Sequence, residues 1–176
     1  MDQAEPGRFA PNAVQMLRTA QASTLQLSQM ADQKASILMG ATFVVFSLSV
    51  GRALASNQAL PWSLAVLAVF AFLSALCGVS AVLPAVKTAK PPPGFKPNKL
   101  FFGHFALLDE QDWADAVIRD LEDEEAMFRM MLHDLYQNGQ VLHRKKYRFL
   151  GYAYRLFIVG LVATMITFVI EIAAMY

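Results

Sequence analysis

Charged residues are scarce in this sequence of 176 residues. They make up 16% of the chain, and hydrophobic residues make up 56%, whereas soluble domains average about 25% and about 45–50% respectively. The composition therefore excludes an ordinary soluble domain. The net charge is only +1, so the chain has no overall positive field for nucleic acid, and we expect no nucleic-acid partner.

Cysteine is almost absent, because Cys77 is the only one. A single thiol excludes an intramolecular disulfide framework. Since Cys77 lies in an apolar run, we expect it to pack as a small, inert hydrophobic residue. The first residues lack the basic start and the apolar stretch of a secretory signal. We therefore expect the first apolar segment to remain in the protein.

Residue patterns typical of catalysis are also missing. The sequence has no glycine-rich phosphate loop and no Ser or Cys nucleophile in a recognisable setting. The dipeptide His133-Asp134 is one that HD-type phosphohydrolases use to bind metal, but only His104 and His143 remain as further histidines. Neither lies at a metal-ligand spacing. We predict no metal site, no cofactor and no enzymatic activity.

Three long uncharged apolar runs dominate what is present, at residues 35–51, 60–86 and 156–170. A bilayer core about 30 Å thick requires roughly 20 helical residues, and flanking side chains can lengthen the shorter runs by snorkelling. Trp62 lies near one end of the second run, which is typical of the interfacial aromatic belt. Ahead of the first run, Asn12 is a candidate N-cap for a polar helix that continues into the membrane.

The positions of lysine and arginine predict the orientation of these spans. Nine of them lie in the region between the second and third runs, near its two ends. The loop between the first two runs has only Arg52, and the tail after the third run has none. Under the positive-inside rule the N-terminus and the middle region are cytosolic and the C-terminus faces outward. The sequence thus predicts an all-α integral membrane protein. Its segments are a cytosolic tail and helix (1–34), a hairpin of two spans (35–86), a cytosolic linker and helical module (87–150) and a third span (151–176).

The cytosolic module has its own local signals. Residues 88–97 are rich in proline and predict a stiff linker. Asp109 is a candidate N-cap, and an apolar stripe follows it at helical spacing from Trp113 to Leu135. Asn138-Gly139 is typical of a strand hairpin, but its flanks are helix formers. We predict one long helix that tolerates this dipeptide, as a kink or a break, and enters the third span.

Several features have two readings on chemistry alone. Small residues at four-residue spacing, such as Ser74 with Gly78 and Gly160 with Thr164, allow close helix approach within the chain or between copies. The basic cluster, residues 143–148, suits either anionic lipid headgroups or a phosphate ligand. The aromatic stretch at 98–105 suits either a stacked base beside a cation or a small hydrophobic core. Glu171 is an intramembrane carboxylate placed near enough to the chain end to reach headgroups.

Three segments together carry a family resemblance: ADQKASILMG at 31–40, NKLFFGHF at 98–105 and LYQNGQVLHRKKYRFLGYAYRLF at 135–157. In this order and spacing they resemble the transmembrane effectors of Pycsar, the pyrimidine cyclase antiphage system. The similarity runs from about residue 13 to the end. The residues that match the family's segments are Asp32, Lys34, Asn98, Phe101, Phe102, Gly103, His104, Lys145, Lys146 and Tyr147.

The resemblance implies an effector that senses cyclic UMP or cyclic CMP made by a separate cyclase, impairs the inner membrane and causes abortive infection. It also implies a location in the bacterial inner membrane with a periplasmic C-terminus. Moving such a switch from 1:99 to 99:1 requires about 5.5 kcal/mol of differential binding, which one phosphate pair and one stacked base supply only if the ligand also bridges subunits, so we expect a homo-oligomer. With that resemblance, the candidate ligand contacts are Lys99, Phe101, Phe102, His104, Arg144, Lys145 and Arg148, and the candidate helix-packing residues are Ser74, Gly78 and Gly160. Two alternatives stay open: a constitutive anchor that recruits a partner through the acidic face at 109–125, and an oligomeric channel component that uses Glu171.

Overall fold

The computed structural model describes residues 9–55, 61–83 and 97–175. Within them every regular element is helical: α1 (Ala13–Ala55), α2 (Trp62–Val82), α3 (Phe102–Phe105), α4 (Glu110–Leu121), α5 (Glu124–Val141), a π-helical segment (Leu142–Tyr147) and α6 (Arg148–Met175). The prediction of an all-α fold is confirmed. The predicted proline-rich linker, the loop between the first two spans and most of the N-terminal tail lie outside the described residues.

Three helices are long and apolar enough to cross a membrane: α1, α2 and the continuous helix Glu124–Met175. This confirms the number of spans. In the third of these helices, only 6% of an apolar stretch of 18 residues is buried within the protein. The side chains of that stretch are therefore available to lipid. As predicted, α1 begins directly after Asn12 and continues from its polar part into its apolar part without a break.

The chain divides into two compact units, each described here by itself. Unit 1 comprises residues 1–27 and 84–141, and unit 2 comprises residues 28–83 and 142–176. The core of unit 1 forms where Phe128 packs against Phe9, with ring centroids 4.5 Å apart. Leu17 of α1 is also buried in this unit.

Helices α4 and α5 are separate, which corrects the prediction of one long helix starting at Asp109. The predicted cap is confirmed, because the Asp109 carboxylate accepts hydrogen bonds from the N–H groups of Gln111 and Asp112 at 2.9 and 3.2 Å. A second aspartate, Asp123, accepts from the N–H groups of Glu125 and Ala126, each at 3.2 Å. These bonds start a new helix, because they satisfy donors that only a helix N-terminus leaves unpaired.

Unit 2 is held together by small residues. The buried positions of α2 are Ser63, Ala71, Ser74, Gly78 and Ala81, and those of α6 are Leu150, Ala153 and Gly160. Ala31 and Ala35 of α1 join Ala81 and Leu150 in a shared core. Since lipid is as apolar as a leucine side chain, such helices associate through close backbone approach rather than through hydrophobic burial.

The helix that leads into the third span changes its winding at Leu142–Tyr147. The Asn138-Gly139 dipeptide itself lies within regular α5, so the helix tolerates it, and the irregularity begins three residues later. A π-helical segment inserts extra backbone into a helix and is frequently found at functional sites. Here it coincides with the basic cluster.

Candidate functional site

The aromatic stretch of unit 1 forms a compact ring cluster around α3. The Phe101 ring lies 5.0 Å from that of Phe102 and 5.1 Å from that of His104, the latter edge-on. A Cβ atom at position 103 would lie 2.6 Å from the Phe101 ring, so any larger residue there would require that ring to move. Phe102 is 59% exposed and offers the accessible face of this cluster.

Lys99 is held beside this cluster by helix α4. Its Nζ donates to the Asp120 carboxylate at 2.7 Å and to the Ala116 carbonyl oxygen at 2.9 Å. The indole N–H of Trp113 donates to the Lys99 carbonyl oxygen at 2.9 Å. A ligand phosphate at Lys99 therefore has to compete with a carboxylate that is already in place.

A buried polar network lies beneath the aromatic cluster, centred on Asn98 and Asp134. The Asn98 amide, 1% exposed, donates to Asp134 Oδ1 at 2.9 Å and accepts from the Leu100 N–H at 2.9 Å. Asp134 also accepts from Asn138 at 3.0 Å and from Gln21 at 3.3 Å. Each of these three donors is a neutral side-chain amide, so the network orients the segment that carries the candidate site without a cation of its own.

Sequence reasoning assigned no role to Asp134 beyond the discarded metal dipeptide, and it overlooked Gln21. The sequence does contain one indication that Asp134 is buried, namely its position in the helix. Asp134 follows Met131 by three residues and therefore lies on the same face of the predicted apolar stripe. A carboxylate on such a face must find donors when the helix packs.

His104 connects the ring cluster to the polar network. Its Nδ1 accepts a hydrogen bond from the Asn98 N–H at 3.0 Å, which requires that nitrogen to be unprotonated. Partial burial, followed by the nearby His133, lowers the pKa of His104 below its ordinary value. The neutral ring is therefore favoured at physiological pH.

The basic cluster belongs to unit 2, and two of its lysines are bonded within the fold. Lys146 Nζ pairs with both Asp32 carboxylate oxygens, at 2.6 and 2.8 Å, and donates to Ser28 Oγ at 2.7 Å. Lys145 Nζ donates to the carbonyl oxygen of Leu83, at the end of α2. These two lysines tie the π-helical segment to α1 and α2.

Arg144 and Arg148 are exposed, in contrast to these lysines. Arg148 Nε donates to the Tyr152 hydroxyl at 3.2 Å, and its guanidinium lies 5.8 Å from the centre of the Tyr152 ring. Of the seven candidate ligand residues, then, Lys99, Phe101, Phe102 and His104 lie together in unit 1, and Arg144, Lys145 and Arg148 lie in unit 2.

The candidate helix-packing residues contact other helices of the same chain. Ser74 Oγ donates to the Ala153 carbonyl oxygen at 2.7 Å. A Cβ atom at position 78 would lie 3.1 Å from the Met39 side chain, and one at position 160 would lie 2.4 Å from Phe70 Cβ. Gly160 therefore marks a place where α6 meets α2 closely, and Gly78 faces the side chain of Met39 on α1.

Glu171 is bonded within unit 2 near the start of α2. Its carboxylate accepts from the Ser63 hydroxyl at 2.6 Å and from the Ser63 N–H at 3.2 Å. A carboxylate is favoured at this position because the first N–H groups of a helix have no partner in the helix itself. The observed contact is thus a helix-to-helix bond. In the described part of the chain, no group of three or more His, Cys, Asp or Glu side chains could hold a metal ion.

Three helices able to span a membrane, together with the more polar helices of unit 1, define a multi-pass helical membrane protein. The family model described as the Pycsar effector protein domain matches residues 15–172. The chain belongs to this family of antiphage-defence effectors, and it is an effector rather than a cyclase. No curated protein and no solved structure matches the chain.

Proposed function

We propose that this effector resides in the bacterial inner membrane, is activated by cyclic UMP or cyclic CMP, and then impairs that membrane so that the infected cell stops before phage matures. The observation that carries this proposal is the family match over residues 15–172, together with three helices able to span a bilayer. The chemistry is one of binding and rearrangement, with no catalytic residue and no cofactor.

The nucleotide contacts in this proposal lie in unit 1. A cyclic mononucleotide has one flat base and one negative charge. Phe102, backed by Phe101 at 5.0 Å, supplies a stacking face. Lys99 supplies a positive charge whose side chain is 28% exposed, and the phosphate displaces Asp120 from it. His104 supplies a further polar contact at the edge of the ring cluster.

In this proposal the basic cluster binds anionic lipid headgroups rather than the phosphate of the nucleotide. Two of its lysines already bond to α1 and α2, so their charges are largely committed inside the fold. Arg144 and Arg148 are exposed on the helix that enters the third span. Cations at such positions bind anionic headgroups with about 1 kcal/mol each.

Activation is proposed to involve a homo-oligomer, for an energetic reason. Moving a two-state switch from 1:99 to 99:1 requires about 5.5 kcal/mol of differential binding. A stacked base contributes about 1–3 kcal/mol, and a hydrogen bond to a charged group contributes about 1.5–3 kcal/mol. One ligand reaches the required value only if nearly all its binding energy is differential, whereas several ligands acting on one assembly reach it readily.

Calorimetry on the purified full chain in detergent tests the ligand. We expect cyclic UMP or cyclic CMP to bind, and Phe102→Ala to weaken binding by about five- to a hundred-fold through lost stacking. Phe102→Tyr keeps the ring and should retain the affinity, and Glu124→Lys, on the acidic face, should leave it unchanged. If no cyclic pyrimidine nucleotide binds the unmodified chain, the sensor proposal fails and the constitutive anchor replaces it.

Reporter fusions test the proposed orientation. A reporter after Tyr176 should be periplasmic, and one inserted near Gly94, outside the described residues, should be cytosolic, because lysines and arginines concentrate around the middle region. Both reporters on one side of the membrane would contradict the three-span arrangement.

A further inference from the structure

A shallow groove lies on unit 2 between α2 and α6, and none of its lining residues has a role in the function proposed above. We call it the Arg155 groove. Its lining residues are Cys77 on α2 and Tyr152, Arg155, Leu156 and Val159 on α6. The surface of the groove is apolar, and both helices that form it are candidate membrane spans. Acyl chains are therefore the molecules that surround it.

Positive charge collects on the same face of α6. Residues 148, 152, 155 and 159 follow one another at spacings of four, three and four, so they share one side of a helix. Arg148 is held over Tyr152 by its hydrogen bond to the hydroxyl, and Arg155 is exposed. Two guanidinium groups thus flank Tyr152 at the end of the groove where the apolar part of α6 begins.

The described part of unit 2 supplies no anion for these arginines. It contains two carboxylates, Asp32 and Glu171. Asp32 is paired with Lys146, and Glu171 accepts two hydrogen bonds from Ser63. An anion that neutralises Arg148 and Arg155 therefore comes from outside this unit's described residues.

We infer that the Arg155 groove binds one anionic phospholipid. The lipid phosphate pairs with Arg155 and Arg148, since a guanidinium offers two parallel N–H donors to phosphate oxygens. An acyl chain lies along Cys77, Leu156 and Val159. Charge complementarity selects an anionic headgroup over a zwitterionic one, and the apolar floor selects a lipid over a soluble phosphate.

Native mass spectrometry of the full chain in detergent measures this selectivity. We expect phosphatidylglycerol to bind more tightly than phosphatidylcholine. Arg155→Gln should weaken phosphatidylglycerol binding by about fivefold, which corresponds to the roughly 1 kcal/mol expected per basic residue. The matched control is Arg52→Gln, which removes an exposed arginine at the end of α1, away from the groove lining, and should leave binding unchanged.

The single cysteine gives an independent readout, because Cys77 lines the groove. Bound phosphatidylglycerol should slow alkylation of Cys77 by N-ethylmaleimide, whereas phosphatidylcholine and water-soluble glycerol phosphate should not. Val159→Trp fills the groove from an exposed position and keeps both arginines, so it should reduce the protection if it folds, as checked by circular dichroism.

Two results would overturn the inference. The first is equal binding of the two lipids to the unmodified chain, which would mean that only ordinary surrounding lipid is present. The second is protection of Cys77 by glycerol phosphate alone, which would identify a phosphate site without an acyl chain. The binding of cyclic nucleotides plays no part in either result, so this test and that of the proposed function fail independently.

Discussion

Replacing Gly160 by alanine tests the close contact between α6 and α2. A Cβ atom at this position would lie 2.4 Å from Phe70 Cβ and 2.9 Å from Phe70 Cγ, whereas carbon atoms in contact normally lie about 3.5–4.0 Å apart. Phe70 Cβ is attached directly to the backbone of α2 and cannot rotate away. The helices must therefore separate by about 1 Å, and overpacking of this kind costs about 1–3 kcal/mol.

Two other glycines serve as matched controls. Nothing lies within 4 Å of a Cβ at Gly151, on the same helix, and at Gly78 the neighbour is the flexible Met39 side chain at 3.1 Å. Alanine is better than glycine in a helix by about 0.8–1.0 kcal/mol. Gly151→Ala should therefore stabilise the chain, and Gly78→Ala should be close to neutral. The propensity gain is common to Gly151→Ala and Gly160→Ala, so Gly160→Ala should be less stable than Gly151→Ala by the overpacking cost alone, about 1–3 kcal/mol.

Unfolding in mixed micelles, followed by circular dichroism as a denaturing detergent is added, measures the order of the three variants. A Gly160→Ala chain as stable as Gly151→Ala would refute the reasoning, because it would mean that α2 and α6 do not meet closely at this residue. Loss of toxicity in Gly160→Ala with unchanged stability would instead locate the contact between copies.

Three further predictions concern polar contacts. Asn98→Ala removes an amide donor from buried Asp134 and should destabilise the chain by about 1–3 kcal/mol in the same assay; an unchanged transition would mean that the network contributes nothing. A double-mutant cycle of Lys146→Met and Asp32→Asn should give a coupling energy of about 0.5–1 kcal/mol, since the pair is partly exposed, and zero coupling would contradict the ion pair. Because the folded state lowers the pKa of His104, this residue favours folding above its unfolded pKa near 6.5 and opposes it as the pH falls. Thermal stability should therefore decline between pH 7.5 and 5 more steeply in the unmodified chain than in His104→Asn, and parallel profiles would show that His104 has no such role.

The spans could be predicted from sequence because a long uncharged helix is a local property, fixed by length and composition. The cap at Asp109 was equally local. The cap at Asp123 was overlooked, since it lies in a run of acidic residues where no single carboxylate stands out. The winding change at Leu142–Tyr147 has no signal in residue type, and it falls in the segment whose lysines bond to α1 and α2.

The long-range contacts of the candidate site lay beyond sequence reasoning. Asp32 and Lys146 lie in two segments that carry the family resemblance, but they are 114 residues apart. Ser63 and Glu171 are separated by 108 residues. No spacing rule relates such positions, because their proximity follows from the packing of whole helices. The grouping of the aromatic residues at 98–105 could be predicted because they are neighbours in the sequence. The bond between Lys99 and Asp120 could not, because it depends on where α4 packs.

Dye uptake in living cells tests the central claim most directly. Bacteria expressing the chain together with a pyrimidine cyclase, or with an inactive cyclase variant, are exposed to a dye that enters only through a damaged inner membrane. The account predicts uptake with the active cyclase, little uptake with the inactive one, and reduced uptake for Phe102→Ala present at the same level in the membrane. Equal uptake with active and inactive cyclase would contradict activation by a cyclic pyrimidine nucleotide.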